Sequence, residues 1–287
     1  MSLPYHSRLH ATLDLARRIE RAEIDFCTLA AGVSRQTATI QSGGGRGLCS
    51  GTRSPLNKVL GLGLTGEVTD QDLDRIEAFY RERQTPVQIE LCPLAYADLA
   101  TRLCRRGYVL QAFENELARS IGDTSDCQLV NIRTGPSERI HVAEATSEET
   151  DLWVRVTAEG FAADERPVGG GPTFETFSIE QMQPIMRQFV HPAIHRYIAW
   201  IDDEPAGGVA TWIHKGVLGV FGASTRPAFR RRGVQTAVTI KALDEGCGSA
   251  DLAIATTAPG STSQRTFERL GFAVVYTRAI FVLISDS

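Results

Sequence analysis

Arg230, Arg231, Arg232 and Gly233 hold the clearest chemistry in this sequence. They follow Val217 to Thr225, a small and apolar run that reads as a buried strand, and Pro227, which cannot continue a central strand. From Val234 the apolar residues Val234, Ala237, Val238, Ile240 and Leu243 recur at helical spacing until Gly246 and Gly248 stop the pattern. The stretch is therefore a strand, a basic turn and a helix. A glycine at such a turn lets backbone N–H groups approach an anion with no Cβ in the way. The helix dipole and the neighbouring guanidinium groups favour negative charge there, so a phosphate or pyrophosphate is the natural ligand. A second glycine-rich run, Ser42 to Gly47, lacks the Lys-Ser/Thr pair of a P-loop and precedes no helix pattern, so it reads as a hairpin or strand-connection loop.

The elements that must position these residues follow from periodicity. Leu9 to Ala22 suits an amphipathic helix, and Ala38 to Gly51 a pair of strands. Val59 to Leu64 is a short glycine-containing strand. Thr69 caps a helix running to about Arg83, with Asp70 and Asp72 in its first turn. A buried strand at Val87 to Cys92, a helix from Pro93 to Arg106 and a strand from Tyr108 to Leu117 complete the first half. The polar stretch from Ser120 to Glu138 is the expected domain junction. Beyond it, strands and helices alternate up to Asp251 to Thr257, Ser261 to Leu270 and Phe272 to Ile284.

The two halves echo each other. Thr69 to Tyr108 and Gly233 to Phe272 both run helix, strand, helix, then Gly-aromatic. A duplicated strand–helix unit explains this. The first copy has Glu67 where the second has its basic glycine turn, so only the second is expected to hold an anion.

The turn at Arg230 resembles the acyl-CoA-binding motif of the GNAT superfamily of N-acyltransferases, Arg/Gln-x-x-Gly-x-Gly/Ala. Arg230 and Gly233 match, and Gln235 stands where the family usually has Gly or Ala. The resemblance implies an α/β (α+β) fold of two GNAT-like mixed-sheet domains with helices on both faces of each sheet. A degenerate domain would cover 1–130 and an N-acetyltransferase domain 131–287. It implies acetyl-CoA as co-substrate, its pyrophosphate cradled by Arg230, Arg231, Arg232, Gly233, Val234, Gln235 and Thr236. Ala223, Ser224 and Thr225 would lie along the pantetheine arm, with Ser261, Gln264 and Phe267 on the same path. No metal is implied.

In the family a Tyr often protonates the departing thiolate. Phe267 occupies its place in Phe267–Phe272 and has no proton to give. Ser263, one helical turn earlier, and Tyr276 are the candidate catalytic hydroxyls. Candidate bases are His191, His195, His214, Asp164, Glu165 and Glu175. The acidic loop from Ala162 to Glu175 points to a cationic acceptor, a small-molecule or protein amine. The rival reading, motivated by Phe267 and the degenerate first half, is a non-catalytic acyl-CoA-binding or interaction module. Aminoacyl transfer from charged tRNA fits the duplication but not the charge balance.

That balance, a net charge of −4, argues against general nucleic-acid binding. The cysteines form no C-x-x-C pair and are expected as free thiols in a reducing compartment. Neither a signal-peptide core nor an apolar run of membrane-spanning length is found, which leads to the expectation of a cytoplasmic protein.

Overall fold

The computed structural model describes residues 9–34, 36–51, 54–121, 140–162 and 177–283. Most of the expected junction, almost all of the acidic loop with Asp164, Glu165 and Glu175, and Cys127 lie outside these residues. The chain divides into two compact units. One comprises the described residues of Ala11–Asn115 and Tyr276–Ser287, the other those of Met1–His10 and Glu116–Val275. We call them the N-terminal and C-terminal units.

In the N-terminal unit, β1 (Ala38–Ser42) and β2 (Gly45–Cys49) form a hairpin in which Ser42 faces Gly45. Gly43 (φ 54°) and Gly44 (φ 76°) make the two-residue turn left-handed at both central positions, which matches the twist of the flanking strands. This confirms the hairpin reading of the glycine run. β2 pairs antiparallel with β3 (Lys58–Leu60), and β3 pairs parallel with β4 (Val87–Leu91) through Val59 and Ile89. The helices are α1 (Leu13–Ala31), α2 (Asp70–Arg81) and α3 (Leu99–Arg105). α1 runs well past the expected end because Phe26, Cys27, Ala30 and Ala31 keep its core face buried. Val59, Leu73, Ile76, Tyr80, Ile89 and Leu103 centre the core.

The last strand of this unit comes from the far end of the chain. β11 (Ala273–Leu283) pairs antiparallel with β4, Ala279 facing Leu91 and Leu283 facing Val87. By packing, the described residues from Tyr276 onward group with those of Ala11–Asn115. β11 carries Arg278, fully buried, into a layer of carboxylates. Its Nε lies 2.7 Å from Glu20, and its Nη1 lies 2.5 Å from Glu23 and 3.4 Å from Glu90. Lys58 faces Glu23 at 3.2 Å and Glu90 at 3.1 Å in the same layer. Burial pushes the neighbouring Cys27 thiol up to about 12.

In the C-terminal unit the strand order is β6 (Ile140–Glu144), β7 (His195–Ile201), β8 (Glu204–His214), β9 (Val217–Thr225) and β10 (Leu252–Thr257), with Glu116–Ser120 of β5 (Val109–Ser120) beside β10. Pairing is antiparallel from β6 to β9 and parallel from β9 to β10. The helices are α4 (Thr150–Ala162), α5 (Ile179–Arg187), α6 (Val234–Gly246) and α7 (Thr262–Arg269). The internal repeat is borne out in topology. β2, β3, β4 with α2 and α3 follow the same order and strand sense as β8, β9, β10 with α6 and α7.

Cys27, Cys49, Cys92 and Cys104 form no disulfide, but Cys247 is disulfide-bonded, which corrects the expectation of free thiols throughout. No helix among the described residues is long and apolar enough to cross a membrane. No group of His, Cys, Asp or Glu among them is arranged to hold a metal ion.

Candidate functional site

The site is built on β9. Its parallel pairing with β10 covers Val217–Gly219 against Leu252–Ile254, after which both strands continue without a further pair to each other among the described residues. The parting has a local cause. On the β8 side, Gly208 faces Ser224 and Ala210 faces Phe221, so β9 carries one extra residue there. This is a β-bulge, and Gly222 (φ 61°) takes the left-handed conformation it needs. A bulged strand bends, and here Phe221, Gly222 and Ala223 are half-exposed on a strand otherwise largely buried. Beyond Gly219 the β10-facing edge of β9 makes no ladder pair with β10 among the described residues.

At the end of β9 the chain turns. Arg226 donates to Glu159 at 2.6 Å and to the Pro205 carbonyl at 2.8 Å. Phe229 is buried between the guanidinium groups of Arg226 and Arg232, at 5.5 and 5.2 Å from its ring centre. Arg231 (φ 62°) and Gly233 (φ 90°) then take left-handed conformations on either side of Arg232, and Gly233 caps α6. Such alternation turns successive N–H groups toward one concavity, and the first N–H groups of a helix have no intrahelical acceptor. The backbone from Arg231 to Thr236 therefore has the kind of geometry that can receive an anion.

The side chains divide differently from the sequence reading. Arg230 donates to the Gly160 carbonyl of α4 at 3.1 Å, so it braces the turn. The Ser224 hydroxyl is buried and donates to the Thr157 carbonyl at 3.1 Å, so it is tied to α4. Ser261 accepts from the Gln264 N–H at 3.1 Å and Gln264 accepts from the Gly260 N–H at 2.7 Å, a mutual cap on α7. Phe267 is 1% exposed, with its ring edge-on to Phe272 at 5.0 Å. It packs within the hydrophobic core of the C-terminal unit. Tyr276 groups with the N-terminal unit, where its buried hydroxyl donates to Glu20 at 2.9 Å. That bond gives the hydroxyl a structural role.

Ser263 remains. Gln235 of α6 donates to its hydroxyl oxygen at 2.6 Å, so the residue that departs from the family motif holds the candidate proton donor. Of the candidate bases, His191 accepts from the Ala193 N–H at 3.1 Å and His214 stacks on Trp212. His195 pairs with Glu144 at 2.7 Å in an exposed position, two strands from β9 at the level of Val220. Sequence reasoning missed Glu116. This carboxylate, 0% exposed, accepts from the Thr256 hydroxyl at 3.2 Å, on the part of β10 that has left β9. Nothing local marks it, because the two residues are 140 positions apart.

The equivalent turn of the first copy is closed by its own residue. Asp72, at N3 of α2, accepts from the Thr69 N–H at 3.0 Å and hydroxyl at 2.6 Å. It also accepts from the Gly43 N–H at 3.1 Å and the Ser42 hydroxyl at 2.9 Å. These bonds, Thr69 foremost, hold its carboxyl well below the ordinary range. Glu67 is exposed; the anion position of this helix is taken by Asp72 instead.

Residues 162–272 match the acetyltransferase (GNAT) family. The fold of the whole chain is shared with solved GNAT proteins. A GCN5-related N-acetyltransferase from Kribbella flavida superposes with a TM-score of 0.66 at 20% identity, covering 95% of this chain and 96% of that one. A tandem GNAT protein from the clavulanic acid biosynthesis pathway gives 0.56 at 12% identity, covering 97% and 98%. A functionally unknown conserved protein from Staphylococcus epidermidis gives 0.60 at 12%, covering 89% and 97%. No curated protein matches the chain in sequence.

Proposed function

We propose that this protein is an acyl-CoA-dependent N-acyltransferase that moves an acetyl group from acetyl-CoA to an amine by direct attack in a ternary complex. The observation that carries this reading is the opening of β9 from β10 at the Gly222 bulge, leading straight into the Arg231–Gly233 turn. The pyrophosphate sits on the N–H cradle and the pantetheine arm follows the open edge from Thr225 to Phe221.

The chemistry then needs two proton transfers. The amine gives its proton to the Thr256 hydroxyl as that hydroxyl passes its own to Glu116. The nitrogen attacks the thioester carbonyl, the C–S bond breaks, and an amide forms. The departing thiolate takes a proton from the Ser263 hydroxyl, whose oxygen Gln235 holds in place, as a solvent proton replaces it, and Glu116 returns the amine's proton to solvent. Atoms balance as amine plus thioester to amide plus thiol, with no covalent enzyme intermediate.

The rival reading, a non-catalytic acyl-CoA-binding module, draws support from Phe267, which offers no hydroxyl. Release of CoA from acetyl-CoA is measured across a panel of small and peptidyl amines, with binding followed in parallel by calorimetry. Amine-dependent release supports the enzyme. Tight binding with no release on any amine supports the module, and absence of binding overturns both.

A further inference from the structure

A cavity of about 320 Å³ lies within the N-terminal unit, away from any residue used above for acyl transfer. Arg21 and Ile24 of α1, the hairpin from Gln41 to Arg46, and Asp72 and Arg75 of α2 line it. Its volume is at the small end of the range for ligand sites, about 300–1,000 Å³.

The charge around it is positive. Arg46 donates to the Thr28 hydroxyl at 3.2 Å, and that hydroxyl donates to the Ile24 carbonyl at 2.6 Å. A neutral partner therefore fixes this guanidinium against α1 without cancelling its charge. Arg21 and Arg75 stand at the mouth with side chains 62% and 58% exposed. Arg21 faces Asp25 at 3.4 Å and Arg75 faces Asp72 at 2.5 Å. Asp72 is already saturated by Thr69, Ser42 and the Gly43 N–H. The guanidinium groups outnumber the carboxylates, and a planar fork matches carboxylate and phosphate oxygens.

We propose that this cavity binds a small anion through its carboxylate or phosphate oxygens, with Arg46 as the fixed contact and Arg21 and Arg75 closing over it. A nucleotide pyrophosphate is excluded because the N-terminus of α2 is occupied by the Asp72 carboxylate. The proposal is independent of acyl transfer, and acetyl-CoA affinity gives it a separate control.

The full chain is titrated by calorimetry with inorganic phosphate, succinate and citrate, and in parallel with acetyl-CoA. Saturable binding of phosphate alone assigns the phosphate class, and of succinate or citrate the carboxylate class. Arg46→Gln weakens that binding about tenfold or more and leaves acetyl-CoA affinity unchanged. Arg21→Glu, at an exposed position, does the same and decides the matter should Arg46→Gln fail to fold. Binding by none of the three probes overturns the proposal. So does binding that survives the variants, or a parallel loss of acetyl-CoA affinity.

Discussion

Gln235 of α6 donates its side-chain amide to the Ser263 hydroxyl of α7 across 2.6 Å. The bond uses the serine oxygen as acceptor and leaves its proton to be given elsewhere. Ser263→Ala therefore lowers amine-dependent CoA release by about 10²-fold, the lower end of general acid assistance, while acetyl-CoA affinity holds. Gln235→Ala frees the hydroxyl without removing it and costs less. Steady-state rates for both variants over a pH range test this; an unchanged rate for Ser263→Ala assigns the proton to solvent.

Gly233 holds φ at 90° where the cradle meets α6. Valine strains that turn and places a Cβ beside the converging N–H groups. Gly233→Val is expected to weaken acetyl-CoA binding by about 1–3 kcal/mol. Calorimetry reads the change, and an unaltered dissociation constant would count against the cradle.

Phe267 stands where the family motif often has Tyr. Its ring is buried edge-on to Phe272 among core residues. Phe267→Tyr puts a hydroxyl into that packing, at a cost of about 1–3 kcal/mol if it finds no partner. Urea unfolding should show a lower midpoint, and turnover should not rise. A gain in rate would place the ring at the sulfur after all.

The buried layer around Arg278 makes stability depend on pH. Burial, and then the Glu90 carboxylate, push Glu114 up to about 8. The folded chain holds a proton there that the unfolded chain releases near the ordinary carboxylate range, about 4.3. Stability from this group is therefore full at acid pH and falls as pH rises through that interval to about 8. Glu114→Gln should flatten the fall and raise the urea midpoint at pH 8.5. An equal slope in both proteins would contradict the assignment.

Much of this protein was legible along the chain. Thr69 and Asp72 form the capping box at the start of α2, Gly43 and Gly44 turn the hairpin, and Arg230 to Gly233 mark a turn before a helix. Each is a local event, set by side-chain reach and backbone sterics over a few residues. The repeat was legible for the same reason, since each copy carries its own caps and glycines.

What only the folded chain decided are the long-range pairings. Arg278 meets Glu20 because β11 closes the sheet of the first unit, and no periodicity signals which sheet a strand joins. Glu116 meets Thr256 across strands, and Gln235 meets Ser263 between helices. Asp72 was visible as a first-turn acid of α2, but its hold on the Gly43 N–H and Ser42 needed the hairpin folded against α2. Burial energy is non-directional, so it selects a sheet partner only when whole faces are matched in three dimensions.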